Sequence, residues 1–193
     1  MLKIRPATEA DREPIWRIFH EVIITGDTYA VDPHMSRADA LAYWFQRGAH
    51  VYVAEIRKSV EAAGRFPGTA TPSATDAAQY REVVGSYMLH PNQAGGGAHV
   101  ANAAFMVALN ARDRGIGRAM GEHCLAAARR LGFRAMQFNF VVSTNESAIG
   151  LWKQLGFEIV GTLPGAFRHP ENGYVDVYVM FRSLADDSSP NVA

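Results

Sequence analysis

Residues 105–120, FMVALNARDRGIGRAM, pass from an apolar, strand-like run into a helical pattern through two glycines one residue apart, and that join restricts the architecture to a sheet delivering a strand end onto a helix start. Gly115 and Gly117 remove side chains where the chain must turn sharply, which lets backbone N–H groups point into one concavity. The following helix brings the positive end of its dipole to the same place. Such a concavity suits an anion, and Arg112, Arg114 and Arg118 surround it with the positive charge that a pyrophosphate or a phosphorylated ribose requires. The pattern is not a P-loop, because no Gly-Lys-Ser/Thr follows, and it lacks the three-glycine spacing of a dinucleotide fingerprint. Two glycines and a few arginines also describe an ordinary solvated helix start, so spacing alone leaves that reading open.

Residues 2–6, LKIRP, read as a short strand stopped by Pro6, and Thr8 with Asp11 forms a capping pair before a helix whose apolar face carries Ile15, Ile18, Phe19 and Val22. The polar stretch TGDTYAVDPHM leads to a second capping pair, Ser36 with Asp39, and a helix bearing Leu41, Trp44 and Phe45. Residues 50–56 read as a strand. Residues 57–82 are rich in Gly, Pro, Ser, Thr and Ala without a persistent period, which predicts a flexible, extended insertion between two antiparallel strands. Strands are then expected at 83–90 and 99–109, with the turn PNQAGGGA between them, and a helix from Gly115 to its stop at Gly132. The strand FRAMQFNFVV, a helix from about Asn145 to Leu155, and two further strands complete the order, with a polar tail at 185–193 expected to be disordered. Strands outnumber crossover helices, so the expected fold is α/β (α+β), a mixed and mostly antiparallel sheet flanked by helices in one domain over residues 1–184.

The 193 residues suffice for a core that buries roughly 70% of the unfolded surface, without disulfides or a structural metal. No metal is expected. With 19 basic and 19 acidic side chains the net charge is 0, which gives no global attraction to nucleic acid. The one cysteine, Cys124, agrees with a reducing, cytoplasmic setting, and no apolar run reaches the length of a membrane span.

The run Arg112, Gly115, Gly117 and the order of elements around it resemble the GNAT superfamily of N-acetyltransferases, over roughly residues 2–182. The resemblance implies the acyl-CoA N-acyltransferase fold, with acetyl-CoA as the acyl donor. It assigns the pantetheine arm to the backbone of residues 105–107, and the pyrophosphate to the loop of Arg112, Asp113, Arg114, Gly115, Ile116, Gly117 and Arg118. Asn145 falls at the position that contacts the cofactor near its thiol. Seven residues after it the family commonly has a tyrosine that protonates the departing thiolate, and this chain has Trp152. Three stretches, HVANAAFMV, FRAMQFNFVVSTNESAIGLWKQLGFEIVGTLPGAFRH and GYVDVYVMFR, are similar to the subgroup that includes an N-acetyltransferase of L-azetidine-2-carboxylate and related proline analogues together with many bacterial relatives. In that enzyme two asparagines on neighbouring central strands meet the substrate, and they match Asn102 and Asn139.

The activity so implied is direct acetyl transfer to the amine of a small molecule. An amine must be neutral to attack a thioester, so a proton must leave the site. Glu21, Asp27 and His99 are candidate acceptors, each with an ordinary structural alternative, and transfer to solvent with Asn102 fixing the nucleophile is the favoured reading. A backbone amide near Met106 or Val107 is expected to face the developing oxyanion. Tyr29 is expected to pack on the acceptor, and Arg168 or His169 to meet a carboxylate on it. Phe138 and Phe140 alternate with Asn139, which predicts that both are core. Peptide or protein amines, phosphinothricin-type substrates, and an acyl-CoA-binding module without turnover remain the alternatives. A strand pair exposed at the C-terminal edge gives a homodimer as the expected assembly.

Overall fold

A computed structural model describes residues 1–59 and 79–185. One seven-stranded sheet runs through it in the order β1-β2-β3-β4-β5-β7-β6. Its strands are β1 (Leu2–Pro6), β2 (His50–Ser59), β3 (Gln79–Pro91), β4 (Val100–Val107), β5 (Ala135–Val142), β6 (Glu158–His169) and β7 (Gly173–Ser183). The helices are α1 (Arg12–Ile23), α2 (Arg37–Trp44), α3 (Ile116–Arg130) and α4 (Glu146–Gln154). Every neighbouring pair is antiparallel except β4 and β5. No helix among the described residues is long and apolar enough to cross a membrane.

Both capping pairs form. Thr8 and Asp11 make a reciprocal capping box on a single 3-10 turn that leads into α1, and the Ser36 hydroxyl accepts from the Asp39 N–H to start α2. The periodic residues of α1 are buried, with Ile15 and Phe19 inaccessible beneath the sheet. Trp44 of α2 donates through its indole N–H to the Ser86 hydroxyl of β3 at 2.9 Å, which satisfies two polar groups inside the core and fixes α2 to that face. Cys124 and Met120 on α3 fill the opposite face.

Several sequence expectations change. The strand expected over 99–109 ends at Val107, and Leu109–Ala111 form a 3-10 turn. At the ends of the stretch 57–82, β2 runs on to Ser59 and β3 begins at Gln79; the rest of that stretch, and the tail beyond Ala185, lie outside the described residues. Phe138 is core, but Phe140 is 38% exposed. The cause is a register shift against β7 between Phe138 and Val141, which inserts a bulge and breaks the alternation that would have buried both rings.

Candidate active site

β4 and β5 pair only at Val100↔Ala135 and Ala101↔Met136, and then diverge. The divergence opens a cleft of about 790 Å³, walled by the connection from α1 to α2, by β4, by the loop before α3, by the bulged half of β5 and by α4. On the other side of β4, the Asn92 N–H donates to the Val100 carbonyl at 2.8 Å and the Ala108 N–H to the Val84 carbonyl at 2.9 Å. The antiparallel ladder therefore commits the even-numbered residues of β4 to β3. Phe105 and Val107 turn their N–H and C=O groups into the cleft. The Met106 amide, expected beside the reacting carbonyl, faces β3 instead, and its side chain is buried.

At the end of β4 the chain turns through two left-handed residues, Asp113 with φ 61° and Gly115 with φ 72°, before α3 begins at Ile116. Gly115 is the N-cap, so the first amides of α3 point out of the helix into the cleft. Gly117 follows on the cleft wall, where a Cβ would touch only Leu151 at 3.4 Å. Arg112 and Arg118 line the same region, Arg118 also bonding Gln154 of α4. Asn145 caps α4 by accepting the Ala148 N–H at 3.2 Å, which leaves its side-chain NH₂ for a ligand. Two helix N-termini thus converge on one free strand edge, a donor set suited to an extended amide chain ending in phosphates. Trp152 packs against Phe105 and Phe138 at ring-centroid distances of 4.8 and 4.7 Å, and is buried.

Asn102 and Asn139 both line the cleft, and a third asparagine joins them. Asn92 Oδ1 accepts from Asn139 Nδ2 at 2.7 Å and from Asn102 Nδ2 at 3.3 Å, while Gln137 Nε2 donates to Asn139 Oδ1 at 2.8 Å. In the sequence Asn92 falls in an anonymous turn, and no local signal marks it, because its partners lie on two other strands. Tyr29 reaches the cleft as expected, and its hydroxyl also donates to the Phe105 carbonyl at 2.7 Å, a contact that packing on the acceptor does not require. Burial pushes that phenol well above its ordinary pKa, so it remains a donor at any physiological pH.

The remaining candidates are elsewhere. Arg168 is exposed on β6 and does not line the cleft, and His169 Nδ1 accepts from the Glu171 and Asn172 N–H groups of the turn before β7. Arg114 is also outside the lining, as are Glu21, Asp27 and His99. The acids that do line the cleft, Asp113 and Glu146, belong to the loop before α3 and to the first turn of α4. Burial raises the Cys124 thiol pKa, which removes it as a nucleophile.

Comparison with known proteins decides the family. Residues 39–157 match the model of the acetyltransferase (GNAT) family. The chain is a GNAT acetyltransferase. Within that family it is 33% identical over 165 residues to N-acetyltransferase aca1 of Schizosaccharomyces pombe, a match covering 83% of this chain and 76% of the yeast protein. The solved GCN5-related N-acetyltransferase from Kribbella flavida is 40% identical, with a TM-score of 0.77 over 94% of this chain and 97% of that one. The GNAT phosphinothricin acetyltransferase of Sinorhizobium meliloti, solved with acetyl-CoA, shares the fold at a TM-score of 0.74 and 20% identity, covering 98% and 91% of the two chains. The protein is therefore an acetyl-CoA-dependent acetyltransferase on an α/β GNAT fold with a mixed, mostly antiparallel sheet.

Proposed function

We propose that this GNAT enzyme transfers the acetyl group of acetyl-CoA directly to the amine of a small molecule, a free amino acid or a cyclic imino acid such as a proline analogue. The observation that carries the reading is that Asn102 and Asn139 come together in the cleft beside the free edge of β4, joined through Asn92. Neither amide has useful basicity, so their work is to hold and orient the acceptor by hydrogen bonds. The neutral amine nitrogen bonds to the acetyl carbonyl carbon, the C–S bond breaks, the nitrogen gives up a proton and the thiolate takes one. Val107 offers its N–H to the oxygen on which charge develops, a preorganised donor of the kind that contributes a few kcal/mol. The backbone of Phe105 and Val107, the loop of residues 112–118 and the Asn145 amide hold the donor substrate. Tyr29 keeps the Phe105 carbonyl occupied from the acceptor side and presents its ring to the acceptor.

None of Glu21, Asp27 and His99 lines the cleft, which supports release of the amine proton to solvent at the mouth, where Asn139 and Phe140 are exposed. Indole is no acid on this scale, so Trp152 serves packing, and solvent protonates the thiolate.

The test mixes purified protein, acetyl-CoA and a panel of free amino acids with L-proline and L-azetidine-2-carboxylate, and reads thiol release. Turnover is expected with at least one small amino or imino acid. Asn102→Ala should lower kcat by about 100-fold without changing acetyl-CoA affinity, because the lost group orients the attacking nitrogen. Asn139→Ala should act mainly on the acceptor's KM. No release with any free amino acid would transfer the reading to peptide amines or to acyl-CoA sensing.

A further inference from the structure

We propose that Asn92, one residue beyond the end of β3, is a positioning residue that sets the orientation of the Asn102 amide, so that its oxygen and not its nitrogen faces the acceptor amine. The inference rests on the reading that Asn102 meets the acceptor. A primary amide has two ends of nearly equal size, and only its hydrogen-bond partners decide which end points where. Asn92 Oδ1 can only accept. It receives Nδ2 of Asn139 at 2.7 Å and Nδ2 of Asn102 at 3.3 Å, so both neighbouring amides turn their nitrogens toward it. The Asn139 orientation is fixed a second time by Gln137, which donates to Asn139 Oδ1 at 2.8 Å. Asn102 has no such second constraint: among the described residues its side chain bonds only Asn92. One oxygen at the end of β3 therefore decides what Asn102 offers to the cleft.

The backbone explains why Asn92 reaches that point. The ladder between β3 and β4 continues one rung past Pro91, since the Asn92 N–H donates to the Val100 carbonyl at 2.8 Å. His90 is the residue directly opposite Asn102, so Asn92, two residues further along, shares the face of His90 and is the diagonal neighbour of Asn102 across the sheet. Its backbone N–H is held by that rung, which leaves the side chain to bridge β4 and the bulged part of β5.

Orientation matters because of what an attacking amine requires. Its lone pair must point at the carbonyl carbon, and its N–H groups need acceptors on the other side. With Oδ1 toward the cleft, Asn102 accepts an N–H and leaves the lone pair free. With Nδ2 toward the cleft, it donates to that lone pair and ties up the electrons that must form the new bond. Asn92 thereby acts on kcat through Asn102, without touching the acetyl donor.

The experiment compares wild type, Asn92→Ala, Asn92→Asp and Asn102→Ala with the amino or imino acid of the panel that wild type turns over, recording kcat, acceptor KM and acetyl-CoA affinity by calorimetry. Asn92→Ala removes the accepting oxygen and should lose at least tenfold in kcat, with acetyl-CoA affinity within twofold of wild type. Asn92→Asp keeps an oxygen that accepts from both amides and should recover kcat to within threefold of wild type. That recovery separates orientation from simple packing. If wild type and Asn102→Ala behave as the functional reading expects but Asn92→Ala retains wild-type kcat, the positioning role of Asn92 is overturned while the reading stands. Loss in Asn92→Asp equal to that in Asn92→Ala also overturns it. If wild type acetylates no amino or imino acid of the panel, or Asn102→Ala is fully active, the functional reading fails and this inference falls with it.

Discussion

Arg5 grips Asp11 with two parallel hydrogen bonds, Nη1 to Oδ2 at 2.7 Å and Nη2 to Oδ1 at 2.9 Å, and turns its Nε to Glu55 at 2.9 Å. Arg81 pairs with the other oxygen of Glu55, so β1, β2, β3 and the start of α1 are tied by one ion cluster in which both carboxylates are buried. The Arg5 guanidinium, with the Thr8 N–H and hydroxyl, holds the Asp11 carboxyl down at about 2, against an ordinary 3.8. Because the folded state prefers the charged form, this contribution is complete above about pH 4 and is lost as the pH falls through about 2. The shift corresponds to about 2 kcal/mol. Asp11→Asn cannot titrate, so the stability gap between it and wild type, measured by urea unfolding, should shrink by about that amount between pH 5 and pH 2. A gap independent of pH would mean that Asp11 is not the group that Arg5 stabilises.

The elements show most clearly what local sequence can and cannot specify. Thr8 with Asp11, Ser36 with Asp39, and Asn145 before α4 are legible because a cap and the amide it satisfies lie within one turn of each other. The loop before α3 is legible for the same reason. The bulge at residues 139–140 is not, because it exists only in register with β7, and neither is the bond from Tyr29 to Phe105, whose partners are 76 residues apart. Asn92 belongs to that second kind. α3 illustrates the distinction with two glycines that look alike in sequence. A Cβ on Gly121 would meet Leu155 Cδ1 at 2.5 Å and the Trp152 ring at 3.2 Å, so this glycine exists to bring α3 close to α4. A Cβ on Gly117 meets only an ordinary contact, so its absence serves the cleft. Gly121→Ala should therefore lower stability by about 1–3 kcal/mol from overpacking. Gly117→Ala should leave the melting temperature unchanged or higher, since alanine is the better helix former, and weaken acetyl-CoA binding at least tenfold. Calorimetry showing unchanged affinity for Gly117→Ala would remove α3's first turn from the pyrophosphate site.

For the whole molecule, the two edges of the sheet are unequal. β1 is five residues long and ends in Pro6, whereas β6 is twelve residues long and leaves Val160 and Leu163 58% and 42% exposed. Edge strands in monomers are usually blunted by charge, proline or irregularity. In β6 the register against β7 shifts twice, between Ile159 and Gly161 and again between Leu163 and Phe167 around Pro164 and Gly165. Even so, Val160 and Leu163 leave apolar side chains exposed along that edge, which supports an isologous dimer in which two copies of β6 meet about a twofold axis. None of these residues lines the cleft, so assembly and catalysis can be separated. Sedimentation at tens of micromolar should show a dimer for wild type. The double substitution Val160→Lys and Leu163→Lys should give a monomer that still binds acetyl-CoA, because a lysine on each edge places like charges opposite one another across the axis and deprives the interface of its apolar contact. A wild-type monomer at that concentration, or a double variant that still dimerises, would place the subunit contact away from β6.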